Sequence, residues 1–403
     1  MTLANGRSYL AIPGPSAMPD RVLRAMHQAA PNIYEGEIET LAASIVEDLK
    51  YVAQGPQAHV AIYISNGHGA WEAANSNMFS RGDTALVLAT GRFGLGWADH
   101  ARSMGVDVEV IDFGLKSAAD PVQLEATLRK DTGHKIKAVM VTHIDTATTV
   151  RNDIPAMRAA IDAVGHPALL AVDCIASLGC EPFKMQDWGV DIMVAASQKG
   201  LMVPPGLGLV WASDKAIAAC RDADLRTPYW DWTPRMNPEF VYQYFGGTSP
   251  THHLFGLRES LDMIKEEGLD AIWARHKTLA RAVWAAFDTW GAQGDISLNL
   301  ANDASLRGSS VTAARIGNGG AERLRKWLET QAGVTLGIGL GMAEPGTKEA
   351  DDFLRVAHMG HVNAHMTLGV LATIEAGLQA LDIPHGPGGV AAAAAVVAAH
   401  TVA

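Results

Sequence analysis

From residue 59 onward, short apolar runs rich in valine and isoleucine alternate with longer stretches of helical periodicity. The runs are 59–64, 84–89, 106–111, 136–142, 168–173, 190–196 and 207–211. Several are apolar at consecutive positions, as in strands buried on both faces between helix layers. Strand alternating with helix predicts right-handed crossovers and an α/β fold built on a mostly parallel seven-stranded sheet. The pattern changes after Pro250. Leu254, Leu257, Leu261, Ile264, Leu269, Ile272 and Leu279 recur at helical spacing, which predicts one long helix leaving the sheet. Beyond it come strand-like runs at 296–300 and 310–315, a helix at 322–331, further runs near 334–340 and 353–357, and a last helix at 364–381. The expected organisation is an N-terminal segment near the active site (1–15), a large α/β domain (16–255), a linking helix (256–290) and a small C-terminal α+β domain (291–403).

The chain has 403 residues, within the range of two to three domains at ~150 residues each. With 48% hydrophobic and 19% charged residues it has the composition of a folded, not a disordered, protein. The net charge of −11 argues against nucleic acid as a partner. Three cysteines, Cys174, Cys180 and Cys220, are too few and too scattered for a disulfide framework or a cysteine-rich metal site. Residues 1–15 lack the basic start and apolar run of a signal peptide, and the alanine-rich stretch at 390–399 falls short of the ~20 residues that span a bilayer. The expectation is a cytoplasmic protein with no membrane partner. The 40 glycines show no collagen-like period, so many are expected in turns and at close backbone approaches.

In an open parallel sheet, ligands bind at the carboxyl ends of the strands. The first run leads into Ser65-Asn66-Gly67-His68-Gly69 and then a helical pattern. Free backbone N–H groups and the helix dipole make such a start an anion site; the same residues also fit an ordinary strand-to-helix turn. The run at 168–173 ends on Asp173. A carboxylate there needs a cation or strong donors, unless it simply caps the next segment. The run at 190–196 is followed by Ser197-Gln198-Lys199-Gly200, with Lys199 lying 26 residues beyond Asp173. A desolvated lysine there is a nucleophile for carbonyls, while a solvated loop lysine is the plainer alternative. Together these are a phosphate cradle, a strand-end carboxylate and a strand-end amine. Pyridoxal 5′-phosphate needs all three: a helix start for its phosphate, an acid for its pyridine nitrogen and a lysine for its aldehyde.

At this point the chain resembles the class V, fold-type I aminotransferases that use pyridoxal phosphate, in the group of alanine/serine–glyoxylate and pyridoxamine–pyruvate transaminases. The likeness covers nearly the whole chain. It runs through Pro13-Gly14-Pro15, Ser65-Asn66-Gly67-His68-Gly69, Val172-Asp173-Cys174-Ile175-Ala176-Ser177-Leu178-Gly179, Ser197-Gln198-Lys199-Gly200-Leu201, Pro204-Pro205-Gly206, Leu257-Arg258-Glu259-Ser260-Leu261 and Arg355-Val356-Ala357-His358-Met359-Gly360. The resemblance implies that Lys199 holds the cofactor's aldehyde and moves the proton between Cα and C4′, and that Asp173 pairs with the pyridine nitrogen. It implies phosphate contacts from Gly67, His68 and Gly69, with Gln198 beside them. It places Phe93 and Ile175 on the two faces of the ring and Thr146 near the 3′-oxygen or the phosphate. Arg355 binds the substrate α-carboxylate, with Gly14 and His358 on the substrate side. A homodimer with shared sites follows, in which Thr248 reaches the phosphate of the other subunit's cofactor. Phe245 stands where some relatives carry tyrosine, which puts one phosphate contact in doubt. The run Tyr229-Trp230-Asp231-Trp232 fits a covering of the entrance or, slightly better, a packed aromatic loop.

Other constellations are weaker. His358, His361 and His365 are spaced three and four apart, but Gly360 interrupts the helix a zinc pair needs, so no metal is expected. Gly337-Ile338-Gly339-Leu340-Gly341 lacks dinucleotide-loop spacing and a following helix. No cysteine follows Cys220, which removes a desulfurase. The expected activity is transfer of an amino group from a small amino acid (alanine, serine or aspartate) to a 2-oxo acid such as glyoxylate or pyruvate. The alternatives are pyridoxamine–pyruvate transamination, a lyase or hydrolase of the same fold, and a non-catalytic cofactor-binding protein, against which the retained Lys199 and Asp173 argue.

Overall fold

The computed structural model describes residues 2–400. After a short strand β1 (Tyr9–Ala11), seven strands follow: β2 (His59–Ser65), β3 (Thr84–Ala89), β4 (Asp107–Asp112), β5 (Ile136–Thr142), β6 (Leu169–Asp173), β7 (Ile192–Ala196) and β8 (Gly206–Ala212). They form one sheet in the order β2-β8-β7-β6-β5-β3-β4, with β8 alone antiparallel to its neighbours. The expected seven-stranded, mostly parallel sheet is therefore present. Each predicted run coincides with a strand to within two residues at either end.

The strands read as unbroken apolar runs because both faces are covered. Along β6, Leu170 and Val172 join an apolar cluster with Leu86, Val139 and Met193, while Leu169 and Ala171 join Val87, Met140 and Val194 on the other face. The edge strand β4 is partly solvated, and it presents Asp107, Glu109 and Asp112 to solvent. Charge on an edge strand opposes pairing with a further strand. The helices between strands start on local caps. Asn66, Asp120 and Asp153 side chains accept backbone N–H bonds at the starts of Gly67–Met78, Pro121–Lys130 and Ile154–Ala163.

The single helix expected across 253–290 is two helices, Thr251–Glu267 and Leu269–Gly291. Gly268 separates them with φ +80°, a backbone that an alanine-like residue adopts only at a cost. The periodicity continues across the break because both helices bury the same kind of stripe, so the pattern did not register the turn. The C-terminal strands are β9 (Ile296–Leu298), β10 (Val311–Ile316), β11 (Val334–Ile338) and β12 (Phe353–Ala357), and with β1 they form a second sheet in the order β1-β11-β12-β10-β9. Trp284, Phe287, Trp290, Leu324, Leu354, Leu371 and Ile374 fill the core beneath it. Among the described residues, no helix is long and apolar enough to cross a membrane.

The N-terminal segment ties the two sheets together. β1 runs parallel to β11, and the chain then returns to the loop after β7, where Ser16 donates its N–H to the Gln198 carbonyl at 2.9 Å and its hydroxyl to the Lys199 carbonyl at 2.8 Å. That loop is tight. A Cβ on Gly200 would lie 2.1 Å from the Leu178 carbonyl oxygen. Gly200→Ala is therefore expected to destabilise the protein by about 1–3 kcal/mol through forced backbone movement. Gly133→Ala, whose Cβ would meet nothing nearer than 3.9 Å, is expected to cost far less. Urea midpoints of the two variants compared with the parent check this, and equal midpoints would contradict it.

Candidate active site

The carboxyl ends of β2, β3, β5, β6 and β7 open on one edge of the large sheet, and the residues that follow them converge there. β6 and β7 are neighbours, with Asp173 in register with Val194, so Asp173 and Lys199 leave adjacent strands. Both are buried. Asp173 Oδ2 accepts the Trp71 indole N–H at 2.9 Å, and Oδ1 accepts the Ile175 N–H at 2.7 Å. Burial nonetheless pushes its carboxyl up to about 7. Lys199 Nζ donates to the Pro13 carbonyl, and burial, aided by the positive charge of Arg355, lowers its ammonium to about 8. Among the described residues no salt bridge is made by either group.

Gly14, with φ +110°, lies against this amine; a Cβ there would come within 2.6 Å of Lys199 Nζ. Gly67 opens the helix after β2 and packs on Ile175, whose Cδ1 would lie 2.5 Å from a Cβ at that position. The Asn66 side chain accepts from the N–H groups of His68 (3.1 Å) and Gly69 (3.4 Å). Two of the three donors expected for a phosphate are thus already held by the cap, and an anion at this turn shares them with Asn66. Trp230 closes the side of the turn, its ring edge 3.3 Å from where a Cβ on Gly69 would be. Gln198 is half-buried beside Lys199 and keeps a buried side-chain oxygen without a partner.

Across the opening, Phe93 begins the helix Arg92–Ser103 and is half-buried. Its N–H and that of Gly94 donate to Asp145 Oδ2 at 2.8 and 3.2 Å. Asp145 is fully buried, and its carboxyl is pushed up by that burial. It also accepts from the Ala147 N–H at 2.9 Å, so it joins the loop after β5 to the loop after β3. Thr146 lies next to it, buried, and its carbonyl accepts from Arg355 Nη1 at 2.9 Å. Arg355 Nε donates to the Ile338 carbonyl at 2.7 Å. One guanidinium on β12 is therefore oriented by a carbonyl of the loop after β5 and one on β11, and among the described residues its Nη2 makes no hydrogen bond. Burial lowers Arg355 to about 10, still a cation at neutral pH.

Two expected residues lie elsewhere. His358 does not face the substrate side: its Nε2 is 2.9 Å from Thr312 Oγ1 and its Nδ1 2.9 Å from the Ser309 carbonyl. Both ring nitrogens are spent inside the core, and burial lowers the imidazole to about 4. Thr248 is exposed after Gly246 and Gly247 and, among the described residues, makes no hydrogen bond to the cluster. The Tyr229–Trp232 run is a pinned aromatic loop. Arg235 donates to the Tyr229 carbonyl at 2.6 Å, Tyr63 donates to the Trp230 carbonyl at 2.9 Å, and Trp232 is fully buried. Phe245 is buried in the large core and carries no hydroxyl toward the site. Sequence reasoning missed Trp71 and Asp145. Trp71 stands on an apolar helix face and reads as core. Asp145 stands 52 residues from the N–H it caps, a separation local capping patterns do not span.

The donor set suits pyridoxal phosphate: a buried acid with no cation, a buried amine with a lowered proton affinity, and a glycine turn at a helix start that leaves no room for side chains. Residues 8–364 match the family model described as Aminotransferase class-V. The chain is 38% identical over 397 residues to a serine–glyoxylate aminotransferase of Methylorubrum extorquens, covering 96% of this chain and 95% of that one. It is 35% identical to an L-aspartate–glyoxylate aminotransferase of Paracoccus denitrificans, covering 95% and 94%. Its structure is similar to that of pyridoxamine–pyruvate aminotransferase from Mesorhizobium loti, with a TM-score of 0.86 and 25% identity over 99% of this chain and 100% of that one.

The shifted lysine makes a signed prediction for the cofactor-free protein. An ammonium lowered from 10.5 to about 8 means that the unfolded chain binds the extra proton between those values. Stability then rises with pH through that window, and the cost of burying the cation is complete below about pH 8. Lys199→Met is expected to stabilise the cofactor-free protein at pH 7 and to lose that advantage by about pH 10.5. Paired urea titrations at the two pH values measure the difference. A gain that is equal at both would contradict the burial argument.

Proposed function

The chain belongs to the class-V aminotransferases, and on that premise we propose that it moves the amino group of a small amino acid (serine, aspartate or alanine) to glyoxylate or pyruvate. It is an enzyme of the pyridoxal phosphate-dependent, fold-type I group. The observation that carries the reading is the buried Asp173 and Lys199 at the ends of adjacent strands, without a salt bridge of their own among the described residues. The printed activities of the relatives, serine–glyoxylate and L-aspartate–glyoxylate aminotransferase, support the choice of substrates.

Bound pyridoxal phosphate supplies an electron sink for the bond broken at the substrate Cα and a carbon that carries nitrogen between the two half-reactions. The chain's residues do the rest. Asp173 holds a proton at the pyridine nitrogen. Lys199, with a proton affinity near neutrality, takes the proton from the donor's Cα and returns it at C4′. Arg355 presents Nη2 to the α-carboxylate, its other nitrogens fixed by Thr146 and Ile338. Gly67, His68, Gly69 and Gln198 bound the phosphate, Phe93 and Ile175 flank the ring, Thr146 lies near the 3′-oxygen or the phosphate, and Gly14 leaves space beside the amine. We assign the sheet around β2–β8 and its helices to the cofactor-binding domain and the sheet around β12 to the smaller domain. Thr248 is assigned to the site of a second subunit in a cytoplasmic homodimer, which would explain why it stands clear of this chain's own cluster.

The test is a donor panel of serine, aspartate, alanine and pyridoxamine on the purified holoenzyme, with glyoxylate or pyruvate as acceptor. One of these donors alone is expected to convert the bound cofactor stoichiometrically to its amine form, and the acceptor to restore it. Return of the cofactor to its aldehyde form with donor alone would indicate a lyase. Lys199→Ala is expected to lose borohydride-fixed cofactor and about 10²–10⁴-fold or more in turnover. A folded wild type that binds no pyridoxal phosphate would overturn the reading.

A further inference from the structure

We propose that Trp71 is a positioning residue whose indole N–H locks Asp173 to the helix that starts at the glycine turn, so that this helix sets the separation between the phosphate and pyridine ends of the site. The proposal rests on the role given to Asp173 above.

The contacts close a ring. Gly67, first residue of the helix Gly67–Met78, packs on Ile175. Ile175 donates its N–H to one oxygen of Asp173 at 2.7 Å. The other oxygen accepts from Trp71 Nε1 at 2.9 Å, and Trp71 lies on the same helix, about one turn beyond Gly67. A helix is stiff over one turn, so the distance from its start to Trp71 is fixed, and through the hydrogen bond so is the place of the carboxylate. The indole itself cannot tilt. It is 1% exposed and stacks on Trp97 with centroids 6.2 Å apart and planes at 12°. Phe93 and His68 meet it edge-on at 6.3 and 4.8 Å. Trp97 is held in turn by its own N–H to Asn75 Oδ1 at 3.0 Å.

A packing role alone needs no indole nitrogen, and Leu or Phe would fill an apolar helix face. Here the N–H is the side-chain donor to a buried carboxylate whose other oxygen already has a partner. Loss of that donor leaves a charged oxygen unpaired in the interior, which costs more than loss of a hydrogen bond between neutral groups.

The experiment is a titration of the full-length, cofactor-stripped protein with pyridoxal phosphate, together with the visible spectrum of the reconstituted enzyme. Trp71→Phe keeps an aromatic ring in the stack and removes the N–H. It is expected to weaken pyridoxal phosphate about ten- to a hundredfold and to shift the visible band in the same direction as Asp173→Asn. Trp290→Phe removes an equally buried indole N–H, one that donates to Glu375 in the core beneath the second sheet, and is expected to change affinity less than about threefold and leave the band in place. In an Asp173→Asn background, Trp71→Phe is expected to have less than about a threefold further effect. Trp71→Tyr, which also lacks the indole N–H, carries the same expectation if the phenylalanine variant does not fold. An equal loss from Trp71→Phe with and without Asp173, or an equal loss from Trp290→Phe, would overturn the proposal. An affinity and spectrum unchanged by Asp173→Asn alone would overturn the role of Asp173, and the proposal with it.

Discussion

The structure depends on the burial of two oppositely charged groups that do not pair with each other. Asp173 and Lys199 sit at the ends of neighbouring strands in the least solvated part of the sheet. A direct ion pair there would fix both charges and leave neither free for chemistry. Instead the carboxyl receives two N–H donors and the amine one carbonyl, which is less than each charged form needs. The result is an acid pushed up to about 7 and an amine lowered to about 8. Both lie near neutrality, where protons move readily. A cofactor with a basic ring nitrogen and an aldehyde answers both deficits at once.

The rest of the cluster follows from that cost. The net charge of −11 opposes a phosphorylated cofactor and a carboxylate substrate, so attraction must be local. Under the proposed assignment, the helix start at Gly67 supplies it for one anion and Arg355 for the other. Arg355 gains its orientation from carbonyls, which align a guanidinium without neutralising it. Its partners come from Thr146 after β5 and Ile338 on β11, so the cation spans both sheets. Asp145 reinforces the same seam by holding the start of the Phe93 helix beside Thr146.

Much of this was legible in the sequence, and what was not has a common physical cause. The buried strands announce themselves because coverage on both faces makes every position apolar. A charged residue that ends such a run or follows it closely, as Asp173 and Lys199 do, then stands out against it. Hydrogen bonds between distant segments leave no comparable trace. Trp71 looks like any core tryptophan until its N–H is seen to meet Asp173. His358 follows Arg355 by three residues, which made a shared substrate role a natural expectation, but β12 ends at Ala357, and just beyond it the His358 ring is taken up by Thr312 and the Ser309 carbonyl. The break at Gly268 escaped because two successive helices can bury one continuous stripe. The cap by Asn66 was hidden because Asn-Gly reads equally as a turn and as an anion site.

The glycines join these observations. At Gly14, Gly67 and Gly200 a side chain would collide with Lys199, Ile175 and the Leu178 carbonyl, respectively. Each bounds a different part of the cluster: the amine, the Ile175 side chain and the turn that presents the lysine. A side chain at any of them would push one buried group away from its neighbours. In a site whose buried carboxyl is held by two hydrogen bonds and whose amine by one, little else would restore the geometry. Absent side chains are therefore as much a part of the site as Asp173 and Lys199, because they let the backbone come close enough to hold both groups without pairing them.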